Sequence, residues 1–152
     1  MSLKTFSRGG VHPPENKLSS GERIIEVAPP DVVTIPVSQH LGAPAKVLVK
    51  RGDELKVGQV IAESGGFIST NTHSSVSGKV LKVDHFPDSS GYRRQAVQVQ
   101  VEGDVWLEDI DRSDDIVPGT VLDPDAIRKK ILAAGVVGLG GATFPTHVKL
   151  MV

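Results

Sequence analysis

Between residues 38 and 63 the chain is punctuated by glycine and proline too often for a helix to run, and this spacing decides the fold class. Val47-Leu48-Val49-Lys50 reads as a strand and Arg51-Gly52-Asp53-Glu54 as a turn. Leu55-Lys56-Val57 leads to a second turn at Gly58-Gln59, and Val60-Ile61-Ala62-Glu63 is the next strand. Two glycine-centred turns flanked by β-branched pairs suit a small, tightly folded sheet. The same turn-plus-strand device returns at Val76-Ser77-Gly78-Lys79-Val80-Leu81-Lys82-Val83, with imperfect alternation around Leu81-Lys82. Gln95 to Glu102 alternates cleanly, placing Val97, Val99 and Val101 on one face and glutamines on the other, as in a half-buried antiparallel strand. Upstream, Ile24-Ile25-Glu26-Val27 and Val32-Val33-Thr34-Ile35-Pro36-Val37 are strand-like bursts separated by a Pro29-Pro30-Asp31 turn. Ser64 to Ser75 reads as a flexible polar crossing, and Asp84 to Tyr92 as a loop. The expectation is an all-β core from about Ile24 to Glu102.

Ahead of it, residues 1–23 are polar and turn-rich. Gly9-Gly10-Val11-His12-Pro13-Pro14-Glu15 cannot be helical, so this part reads as an extended arm, with His12 a surface residue of it. Aromatic residues make up 4% of the chain, so valine, isoleucine and leucine must build the core. A formal net charge of −1 gives no electrostatic footprint for nucleic acid. The absence of cysteine leaves no thiolate for a disulfide, a metal or an iron–sulfur cluster in these 152 residues. No apolar run approaches membrane-spanning length. The acidic stretch from Asp104 to Asp115 lacks calcium-loop spacing and reads as a solvated loop.

Beyond it the pattern changes. Asp123 caps a helix with Pro124 at its first position, expected to run near Asp125–Ala134 and to stop at Gly135. It delivers the chain into Gly138-Leu139-Gly140-Gly141-Ala142-Thr143-Phe144-Pro145-Thr146-His147-Val148-Lys149. Glycines at this density let a ligand lie against bare backbone N–H groups, and Lys149 adds a positive charge. A phosphate-bearing cofactor is the natural guest. The plainer reading is a glycine-rich helix stop and tight turn. A loop of this kind so near the last residue points to a piece of a longer protein.

Taken together, Gly9–Glu15, Gln39-His40-Leu41-Gly42-Ala43-Pro44 and the Gly138–Lys149 run resemble the N-terminal part of the RnfC family of the Rnf electron-transport complex, in order and along essentially the whole chain. The glycine loop is also similar to the flavin- and NADH-binding loop of the complex I flavoprotein subunit. The resemblance implies a membrane-associated bacterial complex that passes electrons between ferredoxin and NAD, coupled to sodium or proton translocation. It further implies that an RnfC protein lies peripherally on the cytoplasmic side of the inner membrane among the other Rnf subunits. FMN and NADH would be its ligands, with 4Fe-4S clusters beyond Val152. On this view Gly138, Gly140, Gly141, Ala142, Phe144 and Lys149 are the cofactor-binding residues, and no catalytic or metal-ligating residue lies in the chain.

Residues 38–83 are similar to biotinyl/lipoyl carrier domains, whose fold is the barrel-sandwich hybrid. Carrier domains place a modified lysine at a hairpin tip, but Ser64 to Ser75 contains none, so neither biotin nor lipoate is expected. The resulting division is an arm over 1–23, a barrel-sandwich domain over 24–105, and a linker, helix and glycine-rich loop over 106–152. That last part would begin an α/β flavin- and NADH-binding domain. Three functions follow: an electron-transfer flavoprotein piece, a swinging carrier, or a non-catalytic docking module. The missing tip lysine counts against the second. The isolated chain is expected to bind neither FMN nor NADH with useful affinity, because a dinucleotide also needs walls for its rings.

Overall fold

The computed structural model describes residues 13–116, 119 and 121–151; the expectations for Gly9–His12 fall outside them. Seven strands precede two helices. They are β1 (Val32–Pro36), β2 (Lys46–Val47), β3 (Glu54–Leu55), β4 (Val60–Glu63), β5 (Thr72–His73), β6 (Gly78–Pro87) and β7 (Arg93–Val101), then α1 (Pro124–Ala133) and α2 (Thr146–Lys149). One sheet has the order β1-β7-β6-β3 and the other β2-β4-β5, with antiparallel pairing throughout. Ile35, Val37, Ala45, Leu55, Ile61, Ala62, Val80, Val97 and Val99 form one aliphatic core. Its members come from both sheets, as two half-apolar layers must bury their faces against each other.

The two expected glycine turns are built alike. Asp53 Oδ2 accepts the Lys50 N–H at 2.9 Å, and Gln59 Oε1 accepts the Lys56 N–H at 3.0 Å. The glycine before each acceptor, Gly52 or Gly58, takes a left-handed φ of 93° or 85°. Positive φ at the third turn position is the requirement that selects glycine there. The uneven alternation around Leu81 also has a structural cause. The β6–β7 register slips between Val80 and Lys82, a bulge that turns Val80 inward and leaves Leu81 and Lys82 exposed.

Four expectations need correction. Ile24–Val27 is not a strand: Ile24 is 94% exposed and no backbone hydrogen bond to the described residues is made there. The β7 strand that pairs β1 from Gln100 downward ends at Val101, whose N–H reaches the Asp31 carbonyl, so the β1–β7 ladder does not extend to residues 24–27. The strand expected over Val47–Lys50 shortens to Lys46–Val47, although Leu48 still donates to the Ile61 carbonyl. The first four residues of the loop expected over Asp84–Tyr92 are ribbon. Asp84 to Pro87 pair with Ala96 to Arg93, and only residues 88–92 turn the hairpin. Finally, the 64–75 crossing is a packed element. Ser69, Thr70, Thr72 and Ser74 are buried, and β5 within it pairs with β4.

Candidate functional site: the glycine loop and its docking surface

Helix α1 begins as the sequence predicts, with the Asp123 carboxylate accepting the Ala126 N–H at 2.9 Å. It ends in a paired cap: Gly135 donates to Leu132 and Val136 to Ile131, with Gly135 at φ 69°. This is the two-bond left-handed stop that glycine favours. The end of α1 also rests on the β-domain. Thr70 Oγ1 donates to the Leu132 carbonyl at 3.2 Å and Asn71 Nδ2 to the Ala133 carbonyl at 3.4 Å. A Cβ on Gly135 would lie 2.6 Å from the Asn71 carbonyl oxygen, so the approach needs a residue without one. Where a carrier domain would hold a free tip, this chain has a seat for a helix terminus.

The loop after α1 closes at a neck. Val137 bridges Pro145, Gly138 donates to the Phe144 carbonyl at 3.0 Å, and Thr146 donates to the Val136 carbonyl at 3.0 Å. Gly138, Phe144 and Lys149 meet at this neck. Lys149 Nζ lies 2.5 Å from where a Gly138 Cβ would stand and 6.0 Å from the Phe144 ring centroid. Gly140, Gly141 and Ala142 sit apart from them, at the apex. A Cβ at Gly140 or Gly141 would meet no atom of the described residues within 4 Å. The N–H groups of Leu139, Gly140, Gly141 and Ala142 meet no acceptor among the described residues.

None of Gly138, Gly140 and Gly141 takes a left-handed backbone. Their role is room rather than φ, since a glycine leaves the backbone N–H groups uncovered. The left-handed residue is Thr143, at φ 50°, the one non-glycine example among the described residues. For a β-branched side chain that conformation is strained, and strain of this kind collects at binding sites. Sequence reasoning had no signal for it. Val136 and Leu139 are exposed, whereas Val137 and Phe144 are half-buried.

Two more residues missed by sequence reasoning as site residues lie beneath the loop. His40 is buried and spans two segments: its Nε2 accepts the Thr70 N–H at 3.3 Å, and its Nδ1 lies 3.2 Å from the Leu41 carbonyl. Those bonds require the tautomer with the proton on Nδ1. His147, on α2, is 4% exposed and its Nδ1 has no hydrogen-bond partner among the described residues. Burial first, and then the neighbouring His40, hold the His147 imidazole below its ordinary pKa, so it is kept neutral. The 38–45 loop ties to this region through the Leu41 N–H, which donates to the Thr143 carbonyl at 3.3 Å.

Two recesses flank the glycine loop. The larger, about 730 Å3, lies between the 38–42 loop, the β6–β7 hairpin and Ala142-Thr143. The smaller, about 340 Å3, is lined by His40, Thr70, Asn71, His73, Val137 and Leu139 among others. Gln39, His40 and Thr143 border both. Among the described residues no three histidine or acidic side chains converge to hold a metal, the acidic 104–115 stretch included. No helix of the described residues is long and apolar enough to cross a membrane.

The model of the RnfC barrel sandwich hybrid domain matches residues 4–104. The chain belongs to the RnfC family. Its relatives include the C subunit of the Na(+)-translocating ferredoxin:NAD(+) oxidoreductase complex of Acetobacterium woodii, 48% identical over 95% of this chain and 32% of that protein. The proton-translocating counterpart of Clostridium ljungdahlii is 46% identical over 97% of this chain and 32% of its own length. The corresponding protein of the ion-translocating oxidoreductase complex of Rhodobacter capsulatus is 40% identical over 97% of this chain and 29% of its own. The chain therefore spans about a third of the length of these curated relatives, and the RnfC match covers its β-domain. Both the family and the mainly β fold, with the barrel-sandwich form that the resemblance to carrier domains implied, are thereby shown.

Proposed function

We propose that this chain is the N-terminal part of the NADH- and flavin-binding subunit of a membrane-associated, ion-translocating ferredoxin:NAD oxidoreductase. The observation that carries the reading is the loop apex. Four consecutive N–H groups, from Leu139 to Ala142, are without acceptors among the described residues, and no Cβ stands over Gly140 or Gly141. Such a run is a ready anion cradle, and it fits a phosphate of FMN or NADH. Gly138 and Gly140 to Ala142 would supply donors and clearance. Lys149, set at the neck, would pair a phosphate, and Phe144 beside it would line a ring. When bound, the flavin supplies the hydride and one-electron chemistry, and the protein supplies position and electrostatics.

Within that assignment the other Rnf subunits are the partners, ferredoxin acts indirectly, and the 4Fe-4S clusters lie outside these cysteine-free residues. The site is peripheral to the inner membrane, on its cytoplasmic face. The division into arm, barrel-sandwich domain, and linker with helix and glycine loop belongs to the same proposal.

A second reading applies to residues 24–105 alone: a structural docking module. It is favoured by the burial of Thr70 and Thr72 and by the bonds from Thr70 and Asn71 to the end of α1. A segment so engaged cannot swing.

The test is titration of the full-length protein with FMN and with NADH by calorimetry, beside its Gly140→Val variant. Loss of binding in the variant, with an unchanged melting temperature, is the expected result. Undiminished binding would refute the loop assignment. The 152-residue chain alone is expected not to bind; micromolar binding by it would show the site to be complete within these residues.

A further inference from the structure

We propose that the 730 Å3 recess beside the glycine loop receives the planar heterocycle of the phosphate-bearing ligand, so that the barrel-sandwich domain supplies one wall of the cofactor site. This rests on the reading of the loop given above and adds to it a second binding surface, on a different domain.

Continuity comes first. Ala142 and Thr143, the residues that leave the loop apex, line the recess, and the Leu41 N–H to Thr143 carbonyl bond clamps the two loops together. A ligand anchored through phosphate at the apex therefore has the recess as its nearest cover. Size agrees, since ring-binding clefts run from about 300 to 1,000 Å3.

The wall itself is built rather than incidental. Leu41 is 51% exposed, yet the backbone around it is tied to neighbouring segments. His40 is pinned between Thr70 and the Leu41 carbonyl, and Ala43 donates to the Ile68 carbonyl at 2.9 Å. Gly42 packs so closely on Ile68 that any side chain there would overlap it. A rigid loop thus displays an aliphatic side chain beside unpaired N–H groups. Pro36, Phe86 and Ala96 continue the apolar wall, which suits the face of a flat ring. Arg94 supplies a polar edge. Its Nε is fixed on Asp88 at 2.7 Å, and its terminal amino groups have no partner among the described residues, leaving donors for ring carbonyls. Flavin and nicotinamide share this chemistry of a planar heterocycle with carbonyl groups, tethered to phosphate.

The test uses the full-length protein with Leu41→Ser and Arg94→Gln, whose side chains are partly exposed, and Gly140→Val as the control for the loop. Dissociation constants are measured for FMN, for NADH and for inorganic pyrophosphate, which has no ring. The expected result is that each recess variant weakens FMN or NADH about tenfold, equivalent to about 1.4 kcal/mol, while pyrophosphate binding and the melting temperature hold. Weakening confined to FMN places the flavin in the recess, and weakening confined to NADH places the nicotinamide there. The inference is overturned if both ring ligands bind the recess variants as tightly as the wild type, or if pyrophosphate weakens equally. In either case a Gly140→Val loss leaves the loop reading standing. If Gly140→Val binds all three normally, the loop reading fails instead.

Discussion

Gly42 and Gly140 lie in two loops that meet at the Leu41–Thr143 bond, and an added side chain should treat them in opposite ways. Gly42 takes φ 105°, and a Cβ there would overlap the Ile68 carbonyl oxygen and stand 2.6 Å from Ile68 Cγ2. Forcing an L-residue into a left-handed backbone costs about 1–2 kcal/mol. Relieving the overlap means parting the 38–45 loop from the 64–70 crossing, which endangers the Ala43–Ile68 hydrogen bond for about another 1 kcal/mol. Gly42→Ala should thus destabilise by about 2–3 kcal/mol. For a domain of this size that lowers the melting temperature by roughly 4–12 °C. Gly140→Val meets open space on a backbone that is not left-handed, and should stay within about 0.5 kcal/mol of the wild type. Thermal and urea unfolding followed by circular dichroism measure both. The reasoning is refuted if Gly42→Ala melts with the wild type, or if Gly140→Val is as damaging as Gly42→Ala.

Further expectations concern the seat of the helix and the buried histidine. Thr70→Val keeps the shape of a buried side chain but strips the hydrogen bond to Leu132, so it should cost about 1 kcal/mol and speed amide exchange in the last turn of α1. For His147 the folded pKa lies below the ordinary value of 6.5, so the unfolded chain binds more protons in acid. Its contribution to stability is complete above pH 6.5 and declines as pH falls through the folded pKa; His147→Phe should flatten that part of a stability–pH profile, and an unchanged slope would refute the assignment. The 64–75 crossing has no lysine, so the intact mass after expression with active biotin and lipoate ligases should equal that of the bare chain, and a covalent adduct on lysine would refute this.

The sequence by itself determined what is encoded over a few residues. The turns at Gly52 and Gly58 were legible because their hydrogen bonds close within four residues and their φ values admit little but glycine. The α1 cap and stop, from Asp123 to Gly135, were legible for the same reason. The valine faces of β7 followed from a period of two, and the family from motifs spread along the chain. Tertiary structure decided everything that depends on a distant partner. Ile24–Val27 has the composition of a strand, but the β1–β7 ladder does not extend to it, because β7 ends at Val101. Within the polar 64–75 crossing, Thr70 is buried where it and Asn71 meet the end of a helix 62 residues later. Of the candidate site, its glycines, Phe144 and Lys149 could be named from the sequence. The left-handed Thr143 and the two buried histidines could not, since a torsion angle and the burial of a side chain are properties of the packed neighbourhood. Local hydrogen bonds and side-chain periodicity can be read along one segment, whereas burial and docking arise where segments far apart in the chain exclude water between them.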